Sequence, residues 1–162
     1  VKTWLPTTGG SWATAANWSG GTAPAAGDSI VIPDLAAAQT ITFDTTVSVA
    51  GVQSGETISI TGGTPTNPGN LSNSSTAAGT RSVDGGTYTA GGTNWTNAGT
   101  LALTAGVLNL GGSFTTAAVT NFTRTGGAGN LTGTLLNTGA TLALTAATGS
   151  WAVVGGTIDG GW

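Results

Sequence analysis

Residues 97–114 read NAGTLALTAGVLNLGGSF, and residues 137–161 read NTGATLALTAATGSWAVVGGTIDGG. The TLAL at Thr100–Leu103 recurs at Thr141–Leu144, an offset of 41 residues (141 − 100). Between them lies NFTRTGGAGNLTGTLL (121–136), with apolar positions at Phe122, Leu131 and Leu135. One intervening turn of chain splits the offset into two steps of about 20 residues, a length that fits one coil of a β-helix. A strand of alternating pattern cannot bury its apolar face alone. Coils stacked about 4.8 Å apart join those faces into one continuous core. The expected core includes Leu101, Leu103, Val107, Leu108, Leu110, Leu142, Leu144, Val153 and Ile158.

The same alternation runs upstream. SIVI (29–32), TITF (40–43), TVSV (46–49) and TISI (57–60) place apolar side chains at every second position, the period of strands with one buried face. Val, Ile and Thr suit a pleated surface, while Gly and Asn fill corners where the backbone turns. The Ala-rich stretch 35–38 is too short for a free-standing helix. Residues 62–94 hold few apolar anchors, and Pro65 and Pro68 oppose regular pairing. They read as a protruding loop or an irregular rung. A sandwich would also give short alternating strands, but not the recurrence of TLAL with matching Gly-Gly punctuation. The expected fold is therefore all-β, a parallel β-helix (β-solenoid). Residues 1–28 form an N-terminal cap, and residues 29–162 form the solenoid.

Composition narrows the function. Charged residues are 6% of the 162-residue chain, against about 25% in an average soluble protein. The chain is nevertheless 38% hydrophobic, unlike a disordered segment. It has no run of roughly 20 apolar residues, so no membrane-spanning helix is expected. Without Cys or His it has no disulfide, no thiolate metal site and not the commonest general base. Three basic residues make phosphate-driven nucleic acid binding untenable. The chain opens on Val1 rather than Met, and removal of a signal peptide is the expectation.

The segment GSWATAANWSGGTAPAAGDSIVI (Gly10–Ile32) resembles a pattern G-x-W-x-x-x-x-N-W-x-x-G-x-x-P-x-x-x-D-x-x-x-I. That pattern opens many large secreted bacterial proteins with autotransporter- or adhesin-like β-helical repeats. The matching positions are Gly10, Trp12, Asn17, Trp18, Gly20 or Gly21, Pro24, Asp28 and Ile32. The resemblance implies surface display, a right-handed parallel β-helix and no catalysis. The sequence departs from full-length members in showing no translocator barrel or C-terminal sorting tail.

Candidate sites follow. Trp4, Trp12 and Trp18, with Asn17, Pro24 and Asp28, are read as a structural cap over the open end of the core. Trp95 and Trp151 are candidate glycan contacts. Six Asn-x-Ser/Thr sequons stand at Asn17, Asn70, Asn73, Asn94, Asn121 and Asn130. Asn97 and Asn137 precede the two TLAL copies and could stack at a coil corner. Thr pairs at 40/42, 87/89, 123/125 and 132/134 raise an ice-binding Thr array, although their differing offsets from the apolar anchors argue against a regular ladder. The six acids are scattered, which opposes a glycosidase pair and reads as solvated turns. No catalytic residue, metal or cofactor is expected. The functional expectation is an extracellular structural or adhesive solenoid: a stalk, an adhesin segment or a filament subunit. Its expected partners are itself, by head-to-tail stacking or continuation of a longer solenoid, and a glycan or host surface.

Overall fold

The computed structural model describes residues 1–64, 66–67, 71–73 and 80–161, the backbone alone at 66–67 and 71–73. The chain is an all-β parallel solenoid of about six turns. One face begins as a five-stranded sheet of Lys2–Thr3, Ser29–Ile32, Gly51–Ser54, Leu71–Asn73 and Thr96–Asn97. A parallel bridge from Trp95 to Phe114 carries it into a three-stranded sheet of Ser113–Thr115, Thr134–Leu136 and Thr157–Asp159. The other face is a nine-stranded sheet whose main path is Gly10–Ser11, Thr40–Phe43, Thr57–Ile60, Thr80–Ala90, Thr100–Leu110, Ala128–Leu131 and Ala152–Val153. Residues 1–28 thus contribute a strand to each face.

Register confirms the coil length. Ile41 pairs with Ile58, Ile58 with Arg81, Arg81 with Leu101 and Leu101 with Phe122, steps of 17, 23, 20 and 21 residues. Inward positions stack on inward positions, so Ile41, Ile58, Leu101 and Phe122 are all buried, as are Ile60, Val83 and Leu103 beside them. SIVI, TITF and TISI are strands as the alternation requires. TVSV is not an assigned strand. Val49 still reaches the core and Val47 packs against it, but from a corner segment. The stretch 62–94 contains Thr80–Ala90, an 11-residue strand paired along most of its length with Thr100–Leu110. Pro65 and Pro68 lie outside the described residues.

That 11-residue pair turns a corner at glycine. Gly106 has φ +75°, and a Cβ there would sit 2.4 Å from the Gly86 carbonyl oxygen of the coil beneath. Neither the left-handed backbone nor the clearance admits a side chain. The ladder absorbs the corner with register shifts between Leu103 and Ala105 and between Ala105 and Val107.

The inward column of Ile41, Ile58, Leu101 and Phe122 is interrupted by a charge. Arg81 stands between Ile58 and Leu101 and is 2% exposed. Its Nη1 donates to the Tyr88 hydroxyl at 3.1 Å, and its guanidinium lies 5.6 Å from that ring's centre. Both residues belong to the same strand on either side of the corner.

The second TLAL departs from expectation. Thr141–Leu144 is not a strand, and the Ala147 carbonyl accepts from Arg124 N instead, at 2.7 Å. Leu142 is only half-buried against the core and Leu144 is half exposed, because the segment swings off the stack. Val153 and Ile158 were also expected inside, and they do occupy inward positions opposite Leu131 and Leu135. They are 61% and 46% exposed, and among the described residues no coil lies on top of them. Val107, just past the corner, is half-buried rather than buried. Among the described residues no helix is long and apolar enough to cross a membrane.

Gly106→Ala should cost at least about 2 kcal/mol, from the left-handed backbone and the clash together. Gly139→Ala, where φ is +68° but open space surrounds the Cβ position, should cost clearly less. Urea midpoints of the two variants check this, and equal losses would refute the corner clearance.

Candidate functional site

The three N-terminal indoles are interior. Trp4, Trp12 and Trp18 are each at most 2% exposed. Trp18 meets Trp4 edge-on at 5.1 Å and Trp12 at 4.8 Å, and Trp12 tilts onto Phe43 at 4.5 Å. An antiparallel bridge between Trp4 and Trp18 crosses this end of the stack. The Trp18 indole donates to the Trp12 carbonyl at 2.7 Å, and that of Trp4 to the Thr8 carbonyl at 3.3 Å. Asn17 Nδ2 donates to the Ser11 carbonyl at 3.0 Å, fixing the 3-10 turn Ala15–Asn17 against the first strands. Pro24 is buried, and the Asp28 carboxylate accepts from Ala25 N at 2.9 Å to close the turn after it.

The glycan candidates fare differently. Trp95 is 1% exposed, stacks on Phe114 at 4.5 Å and donates to the Gly111 carbonyl at 2.9 Å. Its position in the parallel bridge points it inward, so it cannot offer a ring to a sugar. Trp151 is half-buried, edge-on to Phe122 at 5.5 Å, and lines a shallow depression of about 220 Å³ with Arg124, Asn130 and Ser150. Of the sequons, Asn94 and Asn121 are exposed. The amide of Asn130 is spent on Asn109 and that of Asn17 on Ser11. Asn70 and the side chain of Asn73 lie outside the described residues. Asn97 and Asn137 do not stack directly. Asn97 Nδ2 donates to the carbonyls of Gly99 and Ala118, and Asn137 Oδ1 accepts from Thr116 on the coil between them.

The displaced segment 141–148 leaves a groove of about 450 Å³ beside Phe122–Arg124. Val119, Phe122 and Leu142 contribute apolar surface, and threonine hydroxyls line much of the rest.

Several ionisable side chains bind their own chain. Glu56, expected in a solvated turn, is 2% exposed, and its carboxylate accepts from Leu35 N at 2.7 Å and Gln39 N at 2.5 Å. Arg124 donates to the carbonyls of Gly126, Gly127 and Ser150, and Lys2 to Thr22 and the Ser19 carbonyl. Asp84 joins three coils: it accepts from Ser59 at 2.5 Å, from Ser82 at 2.6 Å and from Thr104 at 2.6 Å. Partial burial pushes its carboxyl up, but the three hydroxyls outweigh that and hold it below the ordinary carboxylate value. Among the described residues no group of three metal-ligating side chains forms. Compared with protein-family models, with curated proteins and with solved structures, the chain matches none.

Because Asp84 titrates lower when folded than when unfolded, its bonds add stability above the unfolded value, and that stability is lost as pH falls through the lowered one. Thermal unfolding followed from neutral down to about pH 2 should show an acid-side fall in Tm. Asp84→Asn should lower the neutral Tm and flatten part of that slope. An unchanged slope would contradict the assignment. Trp18→Ala should cost about 3–5 kcal/mol, and a smaller loss would mean that the indole cluster is not interior.

Proposed function

We propose that the chain is a non-catalytic, extracellular structural or adhesive solenoid: a stalk, an adhesin segment or a filament subunit. The observation that carries this reading is that six of the charged side chains are bound within the fold, while the exposed Asp44 and Asp159 lie on different coils. Glu56, Asp84, Asp28, Arg81, Arg124 and Lys2 are hydrogen-bonded to backbone or hydroxyl partners within and between coils. General acid–base work needs a titratable group free to meet a substrate, and glycoside cleavage needs two carboxyls facing one bond. Here Asp28 and Arg81 fix their own turn and strand, and Glu56, Asp84 and Arg124 tie coil to coil. Outward amides do the same, with Asn130 donating to Asn109 at 2.9 Å and Asn109 to Thr89 at 3.2 Å.

The partner in this reading is another coil, from the same solenoid or from a second copy, set on the inward-facing Val153 and Ile158. An uncharged, hydrogen-bonded ladder suits exposure to proteases outside the cell. Antibody labelling of intact producing cells should find the protein at the surface, and signal only after lysis would overturn the location. Purified protein should leave a panel of polysaccharides and esters unchanged, and turnover of any of them would overturn the non-catalytic role.

A further inference from the structure

The outward side of the nine-stranded sheet carries an ordered pattern of hydroxyls. Five successive coils present the same frame of five residues, the last four of them ahead of a glycine corner. They are Thr40–Asp44 (TITFD), Thr57–Thr61 (TISIT), Thr80–Asp84 (TRSVD), Thr100–Thr104 (TLALT) and Asn121–Thr125 (NFTRT). The second and fourth residues of each frame are the inward ones, apart from the arginine of the last. The register stacks the others. Thr40 pairs with Thr57 and Thr80 with Thr100, while Thr42, Ser59, Ser82, Ala102 and Thr123 follow one another in a single column. Thr40 and Thr123 are exposed, and Thr42, Thr57, Ser59, Ser82 and Thr100 are half-buried between their neighbours.

Two repeats define this grid: about 4.8 Å from coil to coil, and about 6.6 Å between alternate residues along a strand. Both are comparable to oxygen spacings in ice. Threonine brings a hydroxyl that anchors a water and a methyl that confines its neighbours. Asp84, at the corner edge of the grid, accepts from hydroxyls on three adjacent coils. Their protons are therefore directed at the carboxylate and their rotors are fixed, which leaves oxygen lone pairs set in advance of binding. The two columns carry no aromatic ring for a sugar to stack on and no cation for a phosphate.

We propose that this face binds ice, as a grid of threonine hydroxyls and methyls, with the Ser59 and Ser82 hydroxyls fixed by Asp84, that orders water at the crystal surface. The ladder differs from the one that isolated Thr-x-Thr pairs suggest. Thr87 and Thr89 lie beyond the corner beside Val107 and Asn109, and Thr134 belongs to another sheet. The aligned set is instead Thr40/Thr42, Thr57/Ser59, Thr80/Ser82 and Thr100.

The test is nanolitre osmometry with the whole chain, watching the shape of a single ice crystal held just below its melting point. The expected result is a faceted crystal and a gap between melting and freezing. Thr57→Lys should abolish most of the gap with circular dichroism and Tm unchanged, whereas Thr157→Lys, on the three-stranded sheet, should preserve it. Rounded crystals with no gap would overturn the proposal. So would a gap that survives both Thr57→Lys and Thr42→Lys, or sedimentation with insoluble cellulose or chitin by a protein that leaves ice unshaped. The surface location of the protein does not enter this measurement, so the two readings fail separately.

Discussion

The structure depends on parallel register between successive coils. Each coil satisfies its backbone groups with the coil above and below, and each inward side chain needs a partner one coil away to exclude water. A single coil has neither, so cohesion is a nearest-neighbour property and accumulates along the stack. The glycine corners follow from the same constraint. At 4.8 Å spacing two backbones can turn together only if no Cβ intrudes, as at Gly106 over Gly86.

The same constraint explains how a chain so poor in charge stays specific. Alternating apolar runs can slip by two residues without changing their faces. Asp84, the Asn130–Asn109–Thr89 ladder and the Thr116–Asn137 bond are directional and span coils, so a slip breaks them. Arg81 and Tyr88 add an interior version of this control. A buried guanidinium is stabilised only where its hydroxyl partner and ring lie within reach. It therefore fixes the 80–90 strand at a cost in core hydrophobicity.

Much of the fold was legible because apolar residues recur at every second position in Ser29–Ile32, Thr40–Phe43 and Thr57–Ile60 and on either side of the corner in Thr100–Leu110. The 20-residue coil was legible from one repeat, even though its second copy, at 141–144, does not stack. Other features were hidden for identifiable reasons. Arg81 masks the TRSVD frame by placing a charge where the pattern has an apolar residue, so Thr80–Ala90 read as an irregular stretch. Trp95, set between Asn and Thr, gave no alternation to show that it faces inward. The hydroxyl columns were obscured because coil lengths vary from 17 to 23 residues. The paired strands stay aligned across those differences. Only the pairing brings Thr57 beside Thr40, and Ser59 and Ser82 onto one carboxylate.

The indole cluster at the first coils has an optical consequence. Trp18 stands edge-on to two other indoles at about 5 Å, close enough for their electronic transitions to couple. Paired transitions of this kind give a signed couplet in the far ultraviolet, distinct from the single minimum of a parallel sheet. Trp95 and Trp151 each meet a phenylalanine rather than another indole, so among the described residues the couplet belongs to one end of the molecule. Its decay, set against loss of the sheet minimum, would reveal from which end the stack comes apart.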